Sequence, residues 1–296
     1  MPRPITVREP SPLLATLFDE WPQEKKKQIR TWLKFQAVTV NGRPVSQFDH
    51  PLKKGDVVAV RTDRFAVPKT KLGGGMKVFF EDAHLIVIDK PSGLLSIASE
   101  AEPEKTAYFQ LTEYLRLGNP RAKERVWIVH RLDRETSGLM VFAKTPLVKE
   151  TLQKSWDTFE KRYEAVVEGR LAAESGTFES DLDESNPYRV HSAKRSDLTR
   201  HAVTHWRVLA KSTWRSLVEL TLETGRRHQI RVQLADAGCP IVGDEKYGAK
   251  SDPAGRLGLH SCMLKFSHPV TREEMRFESP LPKDLAALVR APRSEG

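Results

Sequence analysis

The sequence predicts an α+β protein, a body built on a mainly antiparallel mixed sheet behind a small N-terminal α/β module. Three observations carry this. From about residue 76 onward the chain is rich in short segments of strand character bounded by turn residues. The few helical stretches among them do not alternate regularly with the strands, as a doubly wound parallel sheet requires. Charge is also uneven: residues 1–75 hold 14 Lys+Arg against 7 Asp+Glu, and the remainder hold 34 against 32.

In the module, residues 11–36 predict two short amphipathic helices. Leu13, Leu14, Leu17 and Phe18 recur at helical spacing in the first. Pro22 stands near the start of the second, where a missing N–H does no harm. That helix carries Lys25, Lys26, Lys27, Arg30 and Lys34 around Ile29, Leu33 and Phe35. Val38-Thr39-Val40 predicts a strand and Asn41-Gly42 a tight turn. Lys54-Gly55-Asp56 is a second turn, leading into a strand at 57–60. Residues 63–75, ending in Leu72-Gly73-Gly74-Gly75, read as a linker. No Gly-Lys-Ser/Thr follows, so these glycines mark a flexible joint rather than a phosphate loop.

Beyond it, strands are predicted at 76–80, 84–89, 126–129, 139–144, 162–168, 201–209 and 216–222, with a hairpin at 259–266 and 275–278. Helices are predicted at 107–117, 147–156 and 229–237. The polar segment 181–200 reads as a long loop or hairpin with no assigned role.

With 296 residues, 39% hydrophobic and 29% charged, the chain has enough apolar side chains for a packed core. No apolar run approaches the roughly 20 residues of a membrane helix, and the first ten residues lack the apolar segment of a secretory signal. Two cysteines, Cys239 and Cys262, supply no disulfide framework and point to a reducing cytoplasm. The net charge of +9, concentrated in the first quarter, predicts a module that docks on a polyanion.

The densest chemistry lies in His130-Arg131-Leu132-Asp133-Arg134-Glu135-Thr136-Ser137-Gly138, followed by the apolar Leu139-Met140-Val141-Phe142-Ala143. It sets Asp133 between two arginines on a turn before a strand. Neighbouring cations favour the charged carboxylate, which covalent or general-base chemistry needs. A triad of His130, Asp133 and Ser137 is a weak reading, because the serine sits in no Gly-x-Ser-x-Gly elbow. His260, Cys262, His268 and Cys239 fit no standard zinc spacing, so no metal is expected.

The segment around Asp133 resembles the catalytic motif of the RluA family of pseudouridine synthases. Four others resemble that family's motifs in order. They are Leu85-Ile86-Val87-Ile88-Asp89-Lys90-Pro91-Ser92-Gly93-Leu94, Lys161-Arg162-Tyr163-Glu164-Ala165, Thr224-Gly225-Arg226-Arg227-His228-Gln229-Ile230-Arg231, and Gly238-Cys239-Pro240-Ile241-Val242-Gly243-Asp244 with Tyr247-Gly248. The resemblance makes residues 76–290 a pseudouridine synthase catalytic domain. Ahead of it, residues 10–62 resemble the small RNA-binding domain of ribosomal protein S-four, the alpha-L type.

The resemblance implies that a uridine in structured RNA, ribosomal or transfer, becomes its carbon-linked isomer. Substrate and product share one formula, so no redox or group-transfer cofactor is expected. RNA is the implied partner, with no membrane, and the chain is expected to be a monomer. Asp133 becomes the catalytic aspartate, its route open between attack on sugar or base and removal of a ribose proton. Arg231 becomes its pairing arginine and Tyr163 the residue that stacks on the target base. Arg131 is expected to reach into the RNA where the base flips out. Arg134 is expected to touch phosphate or form an ion pair, and Arg226 to contact phosphate. Lys90 is expected to line the cleft and Ile230 to form an apolar wall beneath the uracil, with Lys26 and Arg30 as RNA contacts of the module. Arg227 and Gln233 depart from the family's commoner Thr or Ser and His. Two rivals remain open: an RNA-binding protein with a degenerate body, and a nucleosidase-like hydrolase that releases free base.

Overall fold

The computed structural model describes residues 3–34, 37–60, 72, 75–98, 102–116 and 123–289. The expected linker at 63–75 therefore lies outside the described residues except for 72 and 75, and Phe35 lies outside them too. The chain divides into two compact units, Met1–Thr70 with Val78–Ala83, and Lys71–Lys77 with His84–Gly296.

The first unit holds β1 (Ile5–Thr6), β2 (Ser11–Pro12), α1 (Leu13–Glu20), α2 (Lys26–Lys34), β3 (Val38–Val40), β4 (Arg43–Pro44), β5 (Pro51–Leu52) and β6 (Val57–Val60). Its small sheet runs β1-β6-β3-β4. Asn41 (φ 51) and Gly42 (φ 78) both take positive φ, which the tight β3–β4 hairpin demands. Leu13, Leu17, Trp21, Ile29, Trp32 and Leu33 bury one face of each helix against Val38, Val40, Leu52 and Val58. The opposite face of α2 leaves Lys26 and Arg30 exposed. Pro22 is not at the start of that helix. It lies four residues ahead of Lys26, in the turn between the two helices. The chain continues into β7 (Lys77–Glu81).

In the second unit, apolar runs and alternations become β8 (Leu85–Lys90), β9 (Trp127–Ile128), β10 (Ser137–Ala143), β11 (Glu160–Glu168), β12 (Ser175–Asp183), β13 (His191–Ala193), β14 (Thr199–Lys211), β15 (Arg215–Leu222), β16 (Leu259–Ser267) and β17 (Glu274–Glu278). The helices are α3 (Ala107–Arg116), α4 (Pro146–Lys154), α5 (Gln229–Asp236) and α6 (Lys283–Ala287). The strands run β13-β12-β14-β15-β11-β16-β10-β8, with β17 on β16 and β9 on β10. β10 pairs with β16 in parallel, whereas β11 runs antiparallel to both β15 and β16. The sheet is thus mixed and mostly antiparallel.

Burial explains the patterns. β10 is covered along its whole length, so it reads as a continuous apolar run. β15 alternates buried and half-buried residues, as a strand with one covered face does. β12 is a strand that periodicity missed. Its Ser-Gly start and three acidic side chains have low strand propensity, and nine residue pairs with β14 impose the conformation instead. With β13 it makes the polar segment after 181 a hairpin.

Register then sets the site. Tyr163 on β11 lies opposite Ser261 of β16, and Gly138 on β10 lies opposite the same Ser261. Tyr163 and the loop entering β10 therefore sit at one level of the sheet, two strand spacings or about 9–10 Å apart. Gly138 has φ +115, and a Cβ there would meet the Ser261 carbonyl oxygen at 2.3 Å. Gly138→Ala is accordingly expected to cost at least about 2 kcal/mol of stability. Urea unfolding checks this; a midpoint equal to wild type would show that β10 and β16 can part without cost.

Candidate active site

The loop carrying Asp133 is held by its backbone. Ser96 Oγ donates to the Leu132 carbonyl at 2.6 Å and accepts from the Leu132 N–H at 3.1 Å. Ser92 Oγ donates to the Glu135 carbonyl at 2.6 Å, and the Gly93 N–H donates to the Arg134 carbonyl at 2.8 Å. Lys90 Nζ donates to the carbonyls of Pro91 (3.1 Å), Leu94 (2.7 Å) and Arg134 (3.0 Å). Lys90 is 0% exposed, so it does not line the cleft as expected; its ammonium ties two loops together from beneath. Burial pulls it down to about 7, opposed by the charges of Asp133 and Glu135.

The Asp133 side chain is approached by two groups on Oδ2: Arg231 Nη1 at 3.4 Å and His228 Nε2 at 3.7 Å. Arg231 extends from the first turn of α5. Its tightest partner is Asp244, a residue 0% exposed at the side chain, which takes Nε at 2.8 Å and Nη2 at 2.7 Å. This fork uses two nitrogens and turns the third toward Asp133. Burial alone disfavours the charge on Arg231, but Asp244 first, then Asp133 and Glu135, outweigh it and hold the guanidinium charged. The Tyr247 ring lies 5.2 Å from the guanidinium and closes the other side.

Polar ties fix α5 itself. Gln229 Nε2 donates to the Val203 carbonyl (3.0 Å), while its Oε1 accepts from Thr224 Oγ1 (2.8 Å) and the Arg226 N–H (3.0 Å). Gln233 Oε1 accepts from Thr204 Oγ1 at 2.6 Å, and its Nε2 donates to Ser180 Oγ and the Ala202 carbonyl at 3.1 Å. Gln233 is therefore a buried anchor to β12 and β14.

Beside Asp133 opens a cleft of about 320 Å³, lined among others by Arg131, Tyr163, Arg226, His228, Ile230 and Arg231. Of the expected catalytic residues, Asp133, Tyr163 and Arg231 all meet there. Burial pushes the Tyr163 hydroxyl up to about 12, with a Ser261 hydrogen bond opposing, so it stays a neutral phenol. Ile230 supplies an apolar patch and Arg131 an exposed cation. Arg226 lines the cleft while its Nε donates to the His201 carbonyl at 3.0 Å. Arg134 is not in the lining; it forms an ion pair with Glu102 at 2.7 Å. Arg227 binds the carbonyls of Glu184, Asn186 and Pro187, fastening the β12–β13 loop to the cleft wall. Lys26 and Arg30 belong to the first unit, where both lie over the Phe18 ring.

The triad does not form. His130 is stacked on Trp156 (4.3 Å) and accepts the Val141 N–H at 3.1 Å, with burial taking it down to about 3. Ser137 Oγ instead meets His260 Nδ1 at 2.8 Å. Among the described residues, no three His, Cys, Asp or Glu side chains are placed to share a metal ion. Asp244, His228 and Tyr247 are site residues that motif reading quoted without a role. The signal for Asp244 was a carboxylate in an otherwise apolar, glycine-flanked stretch.

Comparison with known proteins bears on this geometry. Residues 84–236 match the family model described as RNA pseudouridylate synthase. The uncharacterized RNA pseudouridine synthase YhcT of Bacillus subtilis is 35% identical, over 90% of this chain and 88% of its own length. Ribosomal large subunit pseudouridine synthase D of Xanthomonas campestris is also 35% identical, over 95% of this chain and 88% of its own. Among solved structures, human RNA pseudouridylate synthase domain containing 4 superposes with a TM-score of 0.59 at 25% identity, covering 71% of this chain and 90% of that one. Likeness of this breadth, in sequence and in fold, leaves one assignment: the chain belongs to the RNA pseudouridylate synthase family and is an isomerase.

Proposed function

We propose that the chain isomerises specific uridines of large-subunit ribosomal RNA, in the cytoplasm and as a monomer, with Asp133 as the acting carboxylate. The observation that carries this is the orientation of Arg231: a buried Asp244 holds it so that its free nitrogen faces Asp133 inside the cleft. The Xanthomonas relative named for the large ribosomal subunit favours ribosomal over transfer RNA.

The chemistry sets the requirements. The bond from the ribose anomeric carbon to the uracil nitrogen breaks, and one to carbon-5 forms. Carbon-5 loses a proton and the freed nitrogen gains one, so atoms balance within one nucleoside. The target base first leaves its stack, which costs a few kcal/mol. Tyr163 offsets this by stacking on the base, worth about 1–3 kcal/mol, with Ile230 beneath it. Arg131 fills the space the base leaves, and Arg226 meets phosphate. Arg134 serves through its ion pair with Glu102. Asp133 acts on the sugar or the base, and Arg231 keeps its carboxylate aimed.

Residues 10–62 serve in this reading as an alpha-L type RNA-binding domain. Its support is a basic helix face, with Lys26 and Arg30 exposed while Ile29 and Leu33 are buried.

Asp133→Asn is expected to abolish pseudouridine formation in total RNA while RNA affinity stays close to wild type. Normal turnover in that variant contradicts the mechanism, and free uracil among wild-type products marks a hydrolase instead. Lys26→Ala with Arg30→Ala is expected to weaken RNA binding and to reduce the salt dependence by roughly 0.7–0.9 log units per log unit of salt for each phosphate no longer neutralised. An unchanged slope in filter-binding titrations would remove this helix from the RNA interface.

A further inference from the structure

We propose that His228 is a positioning residue for this reaction: its Nε2–H is donated to Asp133 and, with Arg231, occupies Oδ2 so that Oδ1 is turned to the substrate. This rests on the reading of Asp133 as the acting carboxylate.

Three independent observations lead to it. First, the backbone of His228 is left-handed, with φ 53 and ψ 15, immediately before α5. For a non-glycine residue this conformation is disfavoured, and such conformations persist where the surroundings over-determine them.

Second, the ring is buttressed by Tyr247. The Tyr247 hydroxyl accepts the Val190 N–H at 3.1 Å and lies 2.7 Å from His228 Nδ1. The proposal takes the tautomer in which the hydroxyl gives its own proton to Nδ1 and the ring proton sits on Nε2. The two rings meet edge to face at 5.6 Å, which fixes the imidazole plane.

Third, Nε2 lies 3.7 Å from Asp133 Oδ2, the same oxygen that Arg231 Nη1 approaches at 3.4 Å. That is just beyond hydrogen-bond length, as catalytic contacts often are until a substrate tightens them. Asp133, Arg231, Lys246, Arg227 and Tyr247 are the ionisable groups around the ring. Burial lowers the imidazole below its ordinary range, Asp133 opposes, and the three cations reinforce, so it is a neutral donor at neutral pH. A neutral donor holds the carboxylate without cancelling its charge.

The test compares His228→Asn, His228→Gln and Asp133→Asn in the full chain, using total RNA from cells lacking this protein and site-resolved single-turnover rates. Asparagine tolerates the left-handed backbone but places its amide at the Nδ1 position, out of reach of Asp133. Glutamine carries an amide nitrogen to the Nε2 position. His228→Asn is expected to lower the maximal rate about 10²-fold with half-saturation nearly unchanged. His228→Gln should recover most of the rate. If Asp133→Asn is inactive but His228→Asn matches wild type in maximal rate, the inference fails and the role of Asp133 stands. Equal losses in both His228 variants, with no rescue by glutamine, reduce His228 to packing and also overturn it. An active Asp133→Asn overturns both readings together.

Discussion

The fork between Arg231 and Asp244 is the interaction on which the site depends. A guanidinium has five donors in a rigid plane, so fixing Nε and Nη2 on one buried carboxylate leaves the direction of Nη1 no freedom. Asp133 therefore meets a cation that is already in place. Burying both charges is costly, and removing one partner of such a pair typically costs about 3–5 kcal/mol. The fold supports that cost because everything around the fork is tied down. Gln229 and Gln233 bind α5 to β14, and Arg227 fastens the adjoining loop.

The sheet supplies the other half of the arrangement. β16 lies between β10 and β11, and its Ser261 is opposite Gly138 on one side and Tyr163 on the other. Gly138 allows the close approach, because any side chain there would collide with the Ser261 backbone. The Asp133 loop precedes this point by a few residues and is stapled from below by Ser92, Ser96 and Lys90. Catalytic geometry thus lives on paired strands and a pinned loop, where positions are held more closely than on free loops.

Much of this was legible in the residues, and the failures have physical causes. Long apolar runs such as Leu139 to Ala143 announce a covered strand, and the motifs brought Asp133, Tyr163 and Arg231 to one cleft. β12 was invisible because its strand character comes from pairing with β14 rather than from its own composition. Lys90 was misread because a lysine is normally solvated; nothing local shows that three carbonyls converge on its ammonium. Asp244 and His228 lay inside quoted motifs, but their roles depend on contacts across 13 positions in one case and across the chain in the other.

The central claim is that Asp244 acts through Arg231, and a double-mutant cycle on kcat/KM tests it most directly. Asp244→Asn, Arg231→Met and the double variant would be compared with wild type on the same RNA. If Asp244 serves only to aim the arginine, the double variant loses no more than Arg231→Met alone. Losses that multiply would show that the two residues contribute separately, and would contradict the account.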